Sequence, residues 1–262
     1  MNIVPTNDTQ ALRRLWQRHP LLHIYELGDL DPEWSRFCLF LGGHAGGILR
    51  HAALLYQRPD PPVLLLLGPA DDDTLPLFAR ALAFHLPDRL YAHLSPGLVA
   101  ALPGFAAGNA KRAIKMGLSN RRALPPAPAS QPLTPAHGDE VLALLDAAYP
   151  GHFFEPAALE CGVYRGIRES GRLVAAAGVH VLSEREGVAA LGNIVVRTDC
   201  RGRGLGRSVT LAVCQALPPE VRHIGLNVYA GNEPAIRVYS SLGFCRIADY
   251  EEVTLERVLL AR

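Results

Sequence analysis

Glycine and arginine alternate in one short segment of the sequence, and this pattern could bind phosphate. Residues 191–208 read LGNIVVRTDCRGRGLGRS, in which Gly202, Gly204 and Gly206 separate an apolar run from a predicted helix. Because glycine has no Cβ, several backbone N–H groups can face one concavity at the positive end of the helix dipole. Three basic side chains would add full positive charges there: Arg201, Arg203 and Arg207. The segment therefore predicts a pyrophosphate-binding turn.

Two familiar phosphate-binding patterns do not fit this turn. The Walker pattern GxxxxGK(S/T) requires a lysine, whereas the lysines of the chain are confined to Lys111 and Lys115. The dinucleotide fingerprint GxGxxG is replaced by GxGxG, and Glu220 is the only acidic residue between 220 and 227, near the ribose-binding spacing. An arginine-rich glycine turn that binds no ligand is the other interpretation of the segment.

A second motif follows the glycine turn. Residues 226–244 read LNVYAGNEPAIRVYSSLGF, which predicts a strand followed by a helix. Asn232 stands at the predicted helix start, where its amide could cap free N–H groups or reach into a cleft. Tyr239 lies seven residues further on, about two turns along the same face. One interpretation of Tyr239 is a core aromatic whose hydroxyl bonds to backbone.

Together the two motifs resemble the GNAT superfamily of N-acetyltransferases. Arg201-x-x-Gly204-x-Gly206 is similar to the (R/Q)-x-x-G-x-(G/A) loop of that family, and NEPAIRVYSSLGF is similar to its second signature. The resemblance covers the second half of the chain, from Pro132 onward. One departure is Thr198, where many relatives carry proline, but the loop itself is intact.

The resemblance implies acetyl-CoA as co-substrate and no metal. The end of the strand before the loop would splay from its neighbour and offer backbone groups to the pantetheine arm. Tyr239 would be the catalytic acid that protonates the departing thiolate. The implied cofactor-binding residues are Ile194, Val195, Val196, Arg201, Gly202, Arg203, Gly204, Leu205, Gly206, Arg207, Asn227, Asn232 and Tyr239.

The base that deprotonates an attacking amine is not identified by the sequence. Histone-modifying relatives keep a glutamate at a position that aligns with Ala190, so this base cannot be carried over. Asn193 could orient an acceptor or a water, or simply satisfy a strand end. Further candidates, each of which could equally be a solvated surface side chain, are His180, Glu184, Glu186, His152 and Glu155.

These side chains must be positioned by alternating strands and helices. Helical spacing or capping signals predict helices at 8–19, 74–85, 137–149, 206–217 and 233–242. Apolar runs predict strands at 36–41, 48–56, 63–67, 89–93, 112–116, 163–169, 172–182, 188–196, 224–228, 245–250 and 253–259. This order predicts an α/β fold with a mixed central sheet flanked by helices. The resemblance implies the GNAT fold, in two tandem GNAT-like domains.

A proline-rich stretch at 124–135 divides the chain and predicts a linker. We expect an acetyl-CoA-binding GNAT domain at 136–262 and a degenerate GNAT-like or accessory α/β domain at 1–123. The first half has a similar order of elements but no RxxGxG loop, and its glycine cluster at 42–47 indicates a hairpin turn. We expect this half to shape the acceptor pocket. An unrelated α/β domain is the alternative.

Composition narrows the classes of function. Hydrophobic residues make up 49% and the formal net charge is +1, which favours a globular protein over one that binds nucleic acid. The longest apolar run, Pro61–Leu67, is far below the roughly 20 residues of a membrane span. Met1–Gln10 does not resemble a signal peptide, and the five cysteines are odd in number and scattered, so we expect a cytoplasmic protein.

The expected activity is N-acetylation of an amine on a small-molecule or amino-acid-like acceptor. Two alternatives share the same loop. One is a non-catalytic acyl-CoA-binding or regulatory module, and the other is a transferase that uses a longer acyl-CoA. The sequence is equally compatible with a monomer and a homodimer.

Overall fold

The computed structural model describes residues 2–126 and 128–258, which divide into two compact units. The N-terminal unit contains the described residues up to Lys115, residues 229–231 and the described residues from Arg246 onward. The C-terminal unit contains Met116–Val228 and Asn232–Cys245. The last part of the chain therefore belongs with its beginning.

The two units do not coincide with the domains predicted at 1–123 and 136–262 and the linker predicted at 124–135, because each unit contains more than one segment of the chain. The predicted linker contains a short strand, Gln131–Pro132, which belongs to the C-terminal unit. Residue 127 of that linker and residues 259–262 of the predicted GNAT domain lie outside the described residues. The assignment of separate roles to the two halves stays a prediction.

The first half of the chain alternates short helices with strands. Its elements are β1 (Asn2–Pro5), α1 (Thr9–Trp16), α2 (Ile24–Gly28), α3 (Pro32–Ser35), β2 (Cys38–Ala45), β3 (Ile48–Tyr56), β4 (Val63–Leu66), α4 (Leu75–Leu82), β5 (Arg89–Leu94), β6 (Phe105–Ala107) and β7 (Lys111–Leu118). Short 3₁₀ helices lie at Ala83–His85 and Leu98–Ala101. The predicted hairpin is confirmed, but its turn is shorter than the predicted 42–47: β2 continues to Ala45, and Gly46 and Gly47 join it to β3 with φ of 59° and 77°.

The second half carries the two motifs. Its elements are β8 (Gln131–Pro132), α5 (Gly138–Ala148), β9 (Arg165–Glu169), β10 (Arg172–Ser183), β11 (Val188–Val196), α6 (Leu205–Ala216), β12 (His223–Tyr229), α7 (Glu233–Ser241) and β13 (Phe244–Arg257). Short 3₁₀ helices lie at Arg121–Ala123, Pro135–His137, Pro156–Cys161 and Thr198–Cys200. Helices α5 and α6 both pack against β10 and β11.

The sheet of the N-terminal unit follows the order β1-β2-β3-β4-β5-β13, in which only β4 and β5 are parallel. Its last strand is fixed by Glu252, whose carboxylate accepts hydrogen bonds from Tyr91 (2.6 Å), Tyr229 (3.0 Å) and Tyr250 (2.6 Å). Although burial opposes ionisation, His93 and these three hydroxyls hold the pKa of Glu252 below its usual value. This polar cluster explains why the end of β13 belongs to the N-terminal unit.

The sheet of the C-terminal unit follows the order β8-β9-β10-β11-β12. Strands β8 to β11 are antiparallel, whereas β11 and β12 are parallel. The α/β class with a mixed sheet and flanking helices is thus confirmed.

One prediction of secondary structure is wrong. The strands predicted at 245–250 and 253–259 form one strand, β13, because no glycine or proline interrupts the extended backbone between them; Leu259 lies outside the described residues. The sequence analysis also missed β1, α2 and α3, which span four or five residues each and are too short for a periodic pattern.

A pair of facing glycines makes room for two rings on the sheet of the C-terminal unit. Gly178 of β10 pairs with Gly192 of β11. A Cβ at Gly178 would fall 2.1 Å from the Tyr164 ring, and one at Gly192 would fall 2.2 Å from the His180 ring. Since directly paired residues point to the same face of an antiparallel sheet, the two rings lie on one face. The glycines are therefore required by close packing.

We predict that Gly178→Ala lowers the free energy of unfolding by about 1–3 kcal/mol, the usual cost of overpacking. Gly206→Ala is the matched control, since its Cβ would meet Val196 at an ordinary 3.6 Å. Urea denaturation of both variants measures the difference. Equal stability of Gly178→Ala and the wild type would contradict the packing described.

Candidate functional site

A gap opens between two parallel strands of the C-terminal unit. Strands β11 and β12 pair from Val188, opposite His223, to Leu191, opposite Leu226. No further pair forms between these strands within the described residues. On its other edge β11 stays paired with β10 as far as Val196. Residues 192–196 therefore turn one backbone edge toward the gap. Such an edge can bind an extended ligand in the manner of an added strand.

The predicted cofactor residues Ile194, Val195 and Val196 lie along this edge, and Asn227 lies just past the last pair on β12. A β-bulge shapes the strand at this point. Gly192 pairs with Gly178, and Val195 pairs with Ala176. Between these two pairs β11 has two residues, Asn193 and Ile194, whereas β10 has only one. Asn193 takes a left-handed φ of 52°. Bulges of this kind re-aim side chains and are frequent beside active sites.

The glycine turn places an uncapped helix start after β11. Gly202 and Gly204 have φ of 78° and 80°, and no atom lies within 4 Å of an added Cβ at either position. Gly204 is the N-cap residue of α6, no side chain caps the helix, and its first turn, which includes Leu205, Gly206 and Arg207, holds no acidic residue. The free N–H groups and the helix dipole therefore favour an anion.

The three arginines of the turn have different partners. Arg201 donates to the backbone carbonyls of Val196 (3.3 Å) and Ala148 (2.8 Å), which joins the end of α5 to the end of β11. Arg203 forms two hydrogen bonds with the carboxylate of Glu169, at 2.9 and 2.7 Å. Arg207 forms no hydrogen bond or ion pair with any residue that the structure describes. Of the three arginines of the turn, Arg207 alone has a guanidinium without a competing partner among the described residues.

The second motif places one capping residue and one buried phenol. The Asn232 side chain accepts a hydrogen bond from the Ala235 N–H (3.3 Å), so it caps α7. The Tyr239 ring is 8% exposed and packs near Phe244, with 6.1 Å between ring centroids. Its hydroxyl forms no hydrogen bond with any described residue, contrary to the interpretation as a backbone-bonded core tyrosine. Burial raises the pKa of Tyr239, and nearby Tyr149 raises it further.

Comparison with known proteins assigns the segment that carries this geometry. Residues 130–244 match the model of the acetyltransferase (GNAT) family. These residues form a GNAT domain. No curated protein matches the chain.

Solved structures extend the likeness to nearly the whole chain. A GNAT-family protein from Novosphingobium aromaticivorans is 23% identical over 92% of this chain and 100% of its own, with a TM-score of 0.60. A tandem GNAT protein from the clavulanic acid biosynthesis pathway is 19% identical over 100% of this chain and 99% of its own, with a TM-score of 0.57. A GCN5-related N-acetyltransferase from Sphaerobacter thermophilus is 14% identical over 100% and 97%, with a TM-score of 0.61. At these identities the likeness shows a shared fold.

The GNAT domain also contains a buried polar network that the sequence analysis did not find. The Asn193 amide donates to the Tyr164 hydroxyl (3.1 Å), which donates to the Val179 carbonyl (3.0 Å). Tyr164 itself is fully buried and its ring contacts Phe154, at 6.0 Å between centroids. No sequence pattern marks Tyr164, because its role depends on the register of β10 and on Gly178 opposite its ring.

The structure separates the candidate bases by position. Glu184 and Glu186 lie at the β10–β11 turn, and the strand from Val188 to Gly192, about 13 Å long, separates this turn from the start of the gap. The His152 Nε2 atom lies 2.9 Å from the Asp146 carboxylate, and its Nδ1 atom is buried without a partner among the described residues. Glu155 precedes the 3₁₀ helix at Pro156–Cys161. His180 lies beside the bulge and the gap.

The described residues contain neither a membrane-spanning helix nor a metal-binding cluster. None of their helices is long and apolar enough to cross a membrane. No group of three or more histidine, cysteine, aspartate or glutamate side chains there could hold a metal ion.

We predict that Tyr239→Phe changes the free energy of unfolding by less than about 0.5 kcal/mol, since no hydrogen bond is lost. Tyr164→Phe is the matched comparison, because it removes a buried hydroxyl with two partners and should cost about 1 kcal/mol or more. Urea denaturation measures both. A loss at Tyr239 as large as that at Tyr164 would show that its hydroxyl is bonded within the protein.

Proposed function

We propose that this chain is an acetyl-CoA-dependent N-acetyltransferase. The observation that carries the proposal is the gap between β11 and β12, which leads directly to the uncapped start of α6. An extended ligand with a pyrophosphate near one end fits this arrangement, because the gap offers a strand edge and the helix start offers N–H groups. Acetyl-CoA supplies an acetyl group activated as a thioester.

The residues of the turn hold the pyrophosphate in this proposal. Open space above Gly202 and Gly204 admits the phosphates, and Arg207 adds a charge that no described residue neutralises. Arg203 can exchange Glu169 for a phosphate, since both side chains are more than a third exposed and such pairs contribute about 1 kcal/mol or less. Arg201 acts through the backbone, by holding the end of β11 in place.

Tyr239 is the proposed proton donor to the departing sulfur. Because burial raises its pKa, the phenol stays protonated at neutral pH. Its hydroxyl has no hydrogen-bond partner in the described structure that it would have to give up. It can therefore donate to the thiolate that forms as the C–S bond breaks.

The described residues of the N-terminal unit lack the corresponding features. This supports one cofactor site per chain and the proposal that the first half is a degenerate GNAT-like domain. Beyond the last pair of β4 and β5, the Ser95 N–H donates to the Leu66 carbonyl (3.1 Å) and the Gly68 N–H donates to the Ser95 hydroxyl (3.0 Å), so no gap opens. The start of α4 is preceded by three aspartates, and Asp72 accepts from Thr74. Negative charge at this place disfavours phosphate.

The proposed acceptor is the amine of a small-molecule or amino-acid-like compound. The near-neutral charge of the chain supports a small acceptor over nucleic acid or an anionic membrane surface. We further propose that the protein acts in the cytoplasm. A longer acyl-CoA donor is a variant of the same reaction.

We predict that CoA binding raises the melting temperature and that Gly204→Val lowers the affinity for CoA at least about tenfold, because a side chain there occupies the space of the phosphate. Gly46→Val is the matched control for strain, since Gly46 also has a positive φ and open surroundings but lies in the β2–β3 turn. Calorimetry measures both affinities. No heat and no thermal shift with CoA would overturn the cofactor assignment.

We predict that Tyr239→Phe lowers kcat by about 10² to 10⁴ while the affinity for CoA stays within a few fold. The assay is release of free CoA thiol from acetyl-CoA with a panel of amines. An unchanged kcat with chemistry rate-limiting would remove the tyrosine from the reaction. CoA binding without thiol release from any amine would instead establish the alternative, a non-catalytic acyl-CoA-binding or regulatory module.

A further inference from the structure

His180 is an extra residue in β10 at the point where β11 leaves β12. Val179 pairs with Leu191 and Val181 pairs with Ala190, so His180 forms a second β-bulge beside the one at Asn193. Its side chain is exposed, yet its ring lies over Gly192, where a Cβ would be 2.2 Å away. The imidazole thus occupies the space above the first residue of β11 that has no partner in β12. It reaches the gap from the neighbouring strand.

The network of Asn193 fixes which end of its amide faces His180. The Tyr164 hydroxyl donates its hydrogen to the Val179 carbonyl, so it accepts from the amide nitrogen of Asn193. The amide oxygen is therefore directed away from Tyr164. It is buried and forms no hydrogen bond of regular geometry with any described residue. A buried acceptor without a hydrogen bond lowers the stability of the folded protein by about 1–3 kcal/mol.

His180 is the group that can supply this donor. Desolvation by the surrounding protein atoms lowers the pKa of His180, although the residue keeps contact with solvent, whereas a side-chain hydrogen bond with Asn193 raises it. The net lowering favours neutral imidazole, which can accept a proton. Asn193 favours the protonated ring, because an imidazolium N–H satisfies the buried oxygen. The nearest titratable group of this network, Tyr164, has its pKa raised by burial and stays neutral.

We propose that His180 is the base that deprotonates the acceptor amine and that Asn193 is the residue that positions its ring. This inference rests on the proposed acetyltransferase function. It assigns a role to the β10 bulge, which the binding of CoA alone would not require.

The proton balance of the step is complete with these residues. The unprotonated ring nitrogen of His180 takes one proton from the acceptor ammonium. The freed nitrogen lone pair then forms the C–N bond as the C–S bond of the thioester breaks. Tyr239 gives a proton to sulfur and regains one from solvent, and the second proton of the attacking nitrogen leaves to solvent. His180 returns its proton to solvent, which restores the neutral ring for the next turnover. One proton is released overall, together with the amide and the free thiol.

The competing assignment is the pair of His152 and Asp146. The Nδ1 atom of His152 has no partner among the described residues, but it is buried. It would have to become exposed before it could accept a proton from an amine. His180 is exposed without any movement. The accessible ring beside the gap therefore favours His180.

The test compares His180→Ala, Asn193→Ala and His152→Ala in the full chain. His137→Ala is the matched control, because its ring accepts a hydrogen bond from the Thr134 N–H at the start of the 3₁₀ helix Pro135–His137 and has no part in the proposed site. We expect His180→Ala to lower kcat/KM for the best amine of the panel by about 10² to 10⁴, with CoA affinity unchanged by calorimetry. Added imidazole should raise kcat/KM of His180→Ala at least about tenfold. His152→Ala and His137→Ala should stay within about threefold of the wild type.

A second readout does not depend on turnover. Nitrogen-15 NMR of the CoA-bound protein follows the protonation of each histidine ring against pH. We expect His180 to titrate below the ordinary histidine range and Asn193→Ala to lower its pKa further, since the hydrogen bond from the imidazolium is lost. A merely structural Asn193 would leave this titration unchanged, which would overturn its positioning role.

The outcomes separate this inference from the proposed function. If the wild type acetylates an amine and His180→Ala does so equally well, the inference fails and the proposed function stands. If the loss and its rescue by imidazole occur in His152→Ala instead, His152 is the base and the inference is overturned. If CoA binds but no amine is acetylated by the wild type, the inference fails together with the catalytic part of the proposed function.

Discussion

The end of pairing between β11 and β12 is the constraint on which the site depends. A parallel pair that continued past Leu191 and Leu226 would satisfy its own N–H and C=O groups and leave none for a ligand. Strand β11 remains paired with β10 as far as Val196, so the backbone that carries the free edge is held on its other side. The N-terminal unit shows the contrasting arrangement, in which Ser95 bridges the corresponding strands. One unit thus presents a strand edge and the other closes it.

Small departures from regular structure place the chemistry at that edge. Two bulges, at His180 and at Asn193, flank the glycine pair and turn both side chains toward the same region. The left-handed Gly204 starts α6 with its N–H groups uncovered. Each feature lowers the regularity of the sheet or the helix. The Asn193 amide oxygen and the first N–H groups of α6 would be satisfied within the protein in a regular sheet and a capped helix.

The sequence predicted the parts of the site that depend on local pattern. The glycine turn, the cap at Asn232 and the strand at 188–196 are short-range features, and the structure has each of them where it was expected. The partners of Arg201 and Arg203 could not be predicted, because Ala148 and Glu169 lie more than thirty residues away along the chain. The role of Tyr164 depends on strand register. Most of β13 belongs to the N-terminal unit because it pairs with β5, which lies far away along the chain, and this pairing could not be predicted either.

The central claim is that the free edge of β11 and the start of α6 bind one ligand together, and backbone hydrogen exchange tests it most directly. Mass spectrometry or NMR of the full chain with and without CoA measures the exchange rate of each segment. The account predicts slower exchange for residues 192–196 and 202–207 when CoA is bound, with little change at the corresponding residues 66–76 of the N-terminal unit. Protection confined to the N-terminal unit, or protection of the turn without the strand edge, would contradict it.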